Sequence, residues 1–170
     1  MPTPALFETS PRRHVSQNSG TLTSSQNYLT AIWLPASATI NTIAFTVGSG
    51  ASSAITHGSY FITDVNRIVR GATADQGSTT IWGTTTTIVP LGLTAGYTTP
   101  SAGLYYLGIS TTGTGTPILA QTSNLAGGLA SNAPILYGTA GTSTTPPVVG
   151  STLATMPSAA NGSNFYAYVA

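Results

Sequence analysis

The clearest structural signal in this chain lies in residues 60–70, Tyr60-Phe61-Ile62-Thr63-Asp64-Val65-Asn66-Arg67-Ile68-Val69-Arg70. Two runs of aromatic and β-branched residues, which pack well on a pleated sheet, lie on either side of Asp64 and Asn66. Asp and Asn side chains favour tight turns because they hydrogen-bond the backbone two residues further along. The stretch therefore predicts a β-hairpin with its turn near Asp64.

Strand signals of the same kind continue along the chain from about residue 21. Short runs rich in Thr, Val, Ile and Tyr are bounded by Gly, Pro, Asn and Ser, and helix-forming Glu, Lys, Gln and Arg are scarce. Ile43, Phe45 and Val47 alternate with smaller or polar residues, which is the period of a half-buried strand. Strands are predicted at Tyr28–Leu34, Ala38–Val47, Ser59–Thr63, Arg67–Ala72, Thr79–Val89, Gly103–Ser110, Pro117–Gln121 and Phe165–Val169.

Strands at this spacing, with no helical stretches between them, predict an all-β fold. We expect a two-sheet antiparallel β-sandwich of jelly-roll type over residues 21–170, and a closed barrel is the alternative. The run Phe165–Val169 is expected to return to a sheet. The segment Leu125–Ala160 has weaker strand signals and is predicted to be a long loop region packed on the sandwich, or a contact surface.

Residues 1–20 differ from the rest because they combine several prolines with two of the chain's few cations. Proline disfavours both regular helix and central strand, so we expect an extended N-terminal arm. A frayed terminus is the alternative. If the arm becomes ordered on a neighbouring protein, Leu6 and Phe7 would anchor it, and Arg12 and Arg13 would contact acidic groups.

The near absence of charge limits the function. The 170 residues include four Lys and Arg, three Asp and Glu and two His, so charged residues make up only 4% of the sequence. An ordinary soluble domain contains about a quarter. The chain also has no cysteine. Because most enzyme mechanisms need acids, bases or thiols that are scarce here, we expect no enzymatic activity.

Charge and hydropathy also indicate which partners to expect. A formal net charge of +1 gives no basic surface for nucleic acid. No apolar stretch approaches the roughly 20 residues of a membrane helix, and the N-terminal residues lack the apolar core of an export signal. A near-neutral surface favours association with other protein chains, so we expect this chain to work in an assembly.

The few titratable residues do not form a recognisable catalytic or metal-binding motif. A Ser–His–acid triad would need His14 or His57 as its base and Glu8, Asp64 or Asp75 to orient it. Both aspartates lie in turn-like sequences, and a turn or packing role is expected for His57. The two histidines do not have zinc-ligand spacing. We expect no catalytic residue, no cofactor and no metal, although a structural calcium held by backbone carbonyls stays open.

Three aromatic residues raise the question of stacking on sugars. Trp33 lies within an apolar run and is predicted to be a core residue. Trp82, in Thr80-Ile81-Trp82-Gly83, fits either the core or the surface. Tyr97, in Ala95-Gly96-Tyr97-Thr98-Thr99-Pro100, is the better candidate for exposure. Trp82 and Tyr97 are therefore the candidate ligand contacts.

Several runs resemble one known group of proteins. The runs are Tyr28-Leu29-Thr30-Ala31-Ile32-Trp33-Leu34, Ala38-Thr39-Ile40-Asn41-Thr42-Ile43, the hairpin Phe61–Arg70, Gly103-Leu104-Tyr105-Tyr106-Leu107-Gly108-Ile109, Ala133-Pro134-Ile135-Leu136 and Tyr166-Ala167-Tyr168-Val169. From about Leu22 onward the chain resembles small virion structural proteins, described as head-decoration or minor tail proteins, of tailed phages that infect actinobacteria. These are fold motifs, and the resemblance implies a non-enzymatic virion component with no catalytic residues.

The residues and the resemblance together leave three functional hypotheses. The first is a capsid decoration protein, made in the bacterial cytoplasm, that binds the major capsid protein on the outer surface of the shell together with copies of itself as a homotrimer. The alternative is a minor tail or tail-fibre protein that contacts host-surface glycans through Trp82 or Tyr97. A third is a depolymerase that depends on Asp64 or Asp75, but its acid and base groups are missing.

Overall fold

The computed structural model describes residues 7–11, 15–48, 55–77, 87–115, 117–122, 134–156 and 165–170. These parts of the chain contain strands and no helix, and therefore no helix long and apolar enough to cross a bilayer. The strands are β1 (Phe7–Glu8), β2 (Val15–Thr21), β3 (Gln26–Leu34), β4 (Thr39–Val47), β5 (Ile55–Thr63), β6 (Val69–Ala72), β7 (Thr87–Thr98), β8 (Gly103–Gly113), β9 (Ile118–Thr122), β10 (Tyr137–Thr142) and β11 (Ala167–Val169).

The strands form two antiparallel sheets. The smaller sheet has the order β10-β3-β8-β5-β6. The larger sheet has the order β1-β11-β4-β9-β2. In it, β11 and β9 share one edge of β4, and β7 pairs with the opposite edge of β4. The predicted all-β class and two-sheet antiparallel sandwich are confirmed.

The main core lies between the two sheets. The alternation predicted for Ile43, Phe45 and Val47 on β4 is confirmed, because all three side chains are buried there. From the smaller sheet, Tyr60 brings its ring centroid to 4.8 Å from that of Phe45, and Leu107 packs into the same cluster. Burial raises the pKa of the Tyr60 phenol, so the ring stays neutral. Each such fully buried side chain contributes about 1.5–3 kcal/mol.

A second core covers the opposite face of the smaller sheet. Leu29, Phe61 and Tyr106 point away from the larger sheet, yet all three are buried. Residues 143–156, hereafter the covering segment, lie over them and contribute Met156 to the cluster. An antiparallel sheet commonly leaves one face in water, whereas this one is covered on both.

Backbone hydrogen bonds attach the covering segment to the sheet. The Val69 N–H donates to the carbonyl of Ser151 at 2.9 Å, and the Leu153 N–H donates to the carbonyl of Arg67 at 3.0 Å. Of the predicted loop region 125–160, the described part therefore packs on the sandwich, and it also includes strand β10.

Residues 79–86 of the strand predicted over Thr79–Val89 lie outside the described residues. The last three residues of that prediction belong to a longer strand, β7, which continues to Thr98. The predicted strand ends at Val89, directly before Pro90. Proline is tolerated in an edge strand because its missing N–H can lie on the unpaired side, and β7 is bonded to β4 along only one edge near Pro90.

The chain segment predicted to be an arm contributes two strands to the larger sheet. Phe7 pairs with Val169 through β1 and β11, and β2 pairs with β9. The Thr9 hydroxyl donates to the carbonyl of Phe165 at 3.1 Å. The border drawn at residue 20 thus falls inside β2, and the described residues before it belong to the sandwich.

We expect Tyr106→Ala to lower the free energy of unfolding by about 3–5 kcal/mol, as for other buried aromatic residues. The Tyr106 hydroxyl also donates to the carbonyl of Ile135 at 2.9 Å. Tyr106→Phe removes only this bond and should cost about 1 kcal/mol. Urea unfolding of both variants measures the difference, and a near-neutral Tyr106→Ala would contradict the second core.

Gly108 gives a second stability test. A Cβ atom at Gly108 would overlap the ring of Phe61 on β5, so the ring would have to move. Gly108→Ala should therefore destabilise the fold by about 1–3 kcal/mol through overpacking. The control is Gly103→Ala in the same strand, where nothing lies within 4 Å of the added atom. Equal midpoints in chemical denaturation for the two variants would refute this packing.

Candidate binding groove

An open groove of about 560 Å³ lies at one end of the sandwich. It is bounded by the turn between β5 and β6, which includes Asp64 and Val65, and by the connection between β7 and β8. Arg70, Tyr97 and Tyr105 project side chains into its lining. The groove therefore combines one ion pair with two aromatic rings.

Asp64 organises one wall of the groove. Its Oδ1 accepts the backbone N–H groups of Asn66 at 2.8 Å and Ile68 at 3.1 Å, which closes the predicted turn. Its Oδ2 accepts from Arg70 through Nε at 3.0 Å and Nη2 at 2.7 Å. Hydrogen bonding to Asp64 raises the pKa of Arg70, so the guanidinium stays charged. One carboxylate thus holds the turn and neutralises the cation beside it.

Two tyrosines form the facing wall. The rings of Tyr97 and Tyr105 meet nearly edge to face, with centroids 6.2 Å apart. The Tyr105 hydroxyl donates to the carbonyl of Ser101 at 2.9 Å, which fixes the ring. Burial, with a smaller effect of the neighbouring Tyr105, raises the pKa of Tyr97 to about 12. The Tyr97 hydroxyl therefore keeps its proton and can donate as well as accept hydrogen bonds.

The edge of β8 also borders the groove. Gly103, Leu104 and Tyr105 line it and pair with β3 on one side. On the other side β5 ends at Thr63, opposite Tyr106, so within the described parts of the chain no strand pairs with 103–105 there. Backbone groups on that edge are hydrogen-bonding positions for a ligand.

The prediction that Trp33 is a core residue is wrong. Its side chain is 67% exposed. The alternation of β3 turns Ile32 and Leu34 toward the larger sheet and Trp33 to the opposite face. Trp33 lies directly opposite Leu104, which lines the groove, and paired residues of this kind share a face. An exposed indole therefore lies next to Leu104 on the outer face of the smaller sheet, whereas Tyr97 and Tyr105 lie on the side of the core between the sheets.

The other predicted contact residues are distributed as follows. Tyr97 lies within β7, half-buried, and lines the groove. Phe7, predicted to anchor the arm on a partner, packs against the core of its own domain. Leu6, Arg12, Arg13 and Trp82 lie outside the described residues.

A separate polar pair lies at the start of β5. The His57 Nδ1 is 2.5 Å from the Oδ2 of Asp75, whose Oδ1 accepts the N–H groups of Gly58 and Gly77 at 2.9 Å each. Burial raises the pKa of Asp75, but these hydrogen bonds, with that to His57 foremost, outweigh it and lower the pKa overall. Among the described residues, no serine hydroxyl hydrogen-bonds the His57 ring, as a catalytic triad would require. The pair closes a turn, because Asp75 accepts the N–H groups of Gly58 and Gly77.

Within the parts of the chain that the structure describes, no three His, Cys, Asp or Glu side chains come close enough together to hold a metal ion. The groove has aromatic rings, neutral hydroxyls, an ion pair and a strand edge. These are the elements of reversible ligand binding. Comparison with family models, curated proteins and solved structures finds no match to this chain.

The lowered pKa of Asp75 predicts how stability depends on pH. A depressed carboxyl pKa stabilises the fold at pH values above about 4, the ordinary value for Asp, and this contribution is lost as the pH falls through the lowered pKa. The wild-type chain should be more stable than Asp75→Asn at pH 7, and the difference should shrink as the pH falls below about 4.

Urea unfolding of both chains across this pH range measures that difference. Gln76→Ala, an uncharged change in the same turn, is the control, and its offset from wild type should not vary with pH. A pH-independent difference for Asp75→Asn would show that the carboxylate charge does not stabilise this turn.

Proposed function

We propose that this chain is a non-enzymatic structural protein of a phage virion that acts as a capsid decoration protein. It would bind the major capsid protein on the outer surface of the shell, together with copies of itself as a homotrimer. The observation that carries the proposal is the arrangement of the strands. Sandwiches of the jelly-roll type are common in viral capsid proteins and in lectins.

The strand order supports a jelly-roll assignment. Between β2 and β9 the chain crosses from one sheet to the other at every connection except β5 to β6, which is a hairpin. The larger sheet contains the order β2-β9-β4-β7, and it faces β3-β8-β5-β6. Eight strands connected in this way make two interleaved Greek keys.

The use of the acidic residues supports a non-enzymatic role. The chain has three Asp and Glu side chains, and each one accepts hydrogen bonds within the fold. Glu8 accepts the hydroxyl of Tyr166 at 3.1 Å, Asp64 closes the β5–β6 turn, and Asp75 closes the turn beside Gly58. Paired carboxylates of a glycosidase would have to face one substrate, and these three belong to three different contacts.

The low charge supports assembly with other copies. A surface that carries few like charges offers little repulsion when many copies meet on a shell. Modest contacts that are repeated and linked raise the effective concentration of each next contact. Leu6, Arg12 and Arg13 remain the proposed contacts with the capsid, with Phe7 holding the start of this segment on the domain. The proposal includes no nucleic-acid or membrane partner.

The second candidate is a minor tail or tail-fibre protein that contacts host-surface glycans. The groove with Tyr97 and the exposed Trp33 favour it, because a decoration role alone does not require either feature. Both candidates use the same fold, and they differ in the number of copies that a particle carries.

Copy number per particle distinguishes them. We expect quantitative mass spectrometry of purified virions to find hundreds of copies in a fixed ratio to the major capsid protein. A few dozen copies or fewer would move the chain to the tail and favour glycan contact. Absence from purified particles would overturn both candidates.

A further inference from the structure

We propose that the groove between the β5–β6 turn and the start of β8 binds a neutral saccharide. Tyr97 would contact the apolar face of one sugar ring, Asp64 and Arg70 would hydrogen-bond its hydroxyls, and Trp33, beyond Leu104 on the outer face of the smaller sheet, would contact the next sugar of an oligosaccharide. This inference deepens the second candidate function by giving it a site and a ligand class. Binding by the isolated chain can be tested wherever the chain sits in the particle.

The charge of the groove selects a neutral ligand. Asp64 and Arg70 form an ion pair with two hydrogen bonds, so this wall of the groove has no net charge. A phosphate or carboxylate ligand would have to compete with Asp64 for the guanidinium, and a cation would have to compete with Arg70 for the carboxylate. Sugar hydroxyls need no such exchange, because each one both donates and accepts.

The ion pair still has hydrogen-bonding capacity. A guanidinium has five N–H groups, and the pair with Asp64 uses two of them. The Arg70 side chain is 42% exposed, so the remaining N–H groups can reach a ligand in the groove. The neutral Tyr97 hydroxyl and the edge of 103–105 add donors and acceptors on the opposite side. These groups converge on one space, as in small-molecule sites generally.

The aromatic rings supply the apolar part of the contact. The C–H face of a pyranose is apolar and matches the body of a Tyr or Trp side chain, while the polar tip of each ring stays hydrated. Tyr97 is held by Tyr105, and Tyr105 is held by Ser101. Because these side chains are ordered before a ligand arrives, binding would cost little further conformational entropy.

The test is a titration of the purified full chain with trisaccharides, monitored by heteronuclear NMR and by tryptophan fluorescence. The neutral probes are cellotriose, mannotriose and galactotriose, and trigalacturonate is the charged counterpart. We expect saturable binding of at least one neutral trisaccharide, with shifts of the Tyr97 and Arg70 resonances. Trigalacturonate should bind at least tenfold more weakly.

Two variants locate the site. Trp33→Ala changes an exposed side chain, and Arg70→Gln removes the cation but keeps hydrogen-bonding capacity, so neither should unfold the domain. Each should weaken binding at least tenfold. Val148→Ala, at a side chain that is 69% exposed on the covering segment, should bind like the wild type.

Absence of binding by every neutral probe would overturn the proposal, and so would binding that both groove variants leave unchanged. Trp, Tyr and Arg also dominate protein interfaces, so a protein partner is the competing occupant. If the two variants instead abolish attachment to capsids lacking this chain, and no saccharide binds, the groove is a protein contact. That result would reject the saccharide and leave the decoration role intact.

Discussion

The burial of β8 on both faces is the constraint on which the rest of the structure depends. Its inward side chains, such as Leu107, meet the larger sheet, and its outward ones, such as Tyr106, meet the covering segment. A strand enclosed in this way needs a layer on each side, and its glycine at 108 makes room for the ring of Phe61. The sandwich therefore has a third layer, which is held to the smaller sheet by backbone bonds near Val69 and Arg67.

Local patterns predicted much of this architecture. The hairpin around Asp64 follows from side-chain chemistry within a few residues, and the inward side of β4 follows from a strict period of two. The period is lost in Ala31-Ile32-Trp33-Leu34, where every residue is apolar, so the sequence did not indicate which side Trp33 takes. Proline and glycine also made β7 hard to recognise in the sequence, because an edge strand tolerates residues that a central strand does not.

The groove was harder to predict because its parts are far apart in sequence. Asp64 and Arg70 come from the hairpin, whereas Tyr97 and Tyr105 come from β7 and β8, and only the packing of the two sheets brings them together. Tyr97 was predicted to be the better candidate for exposure, and its ring lies half-buried within a strand. The chain has only seven Lys, Arg, Asp and Glu residues, and two of these, Asp64 and Arg70, form an ion pair in this groove.

Pro90 has a consequence for how copies of this chain can meet. An exposed strand edge is a template onto which another chain can add its own strand, and such growth has no natural end. Near Pro90 the edge of β7 lacks an N–H donor, and a strip of the covering segment lies along β6 at the margin of the smaller sheet. Addition of a strand from another chain is therefore disfavoured at these two margins, and a protein contact there has to use side chains and loops.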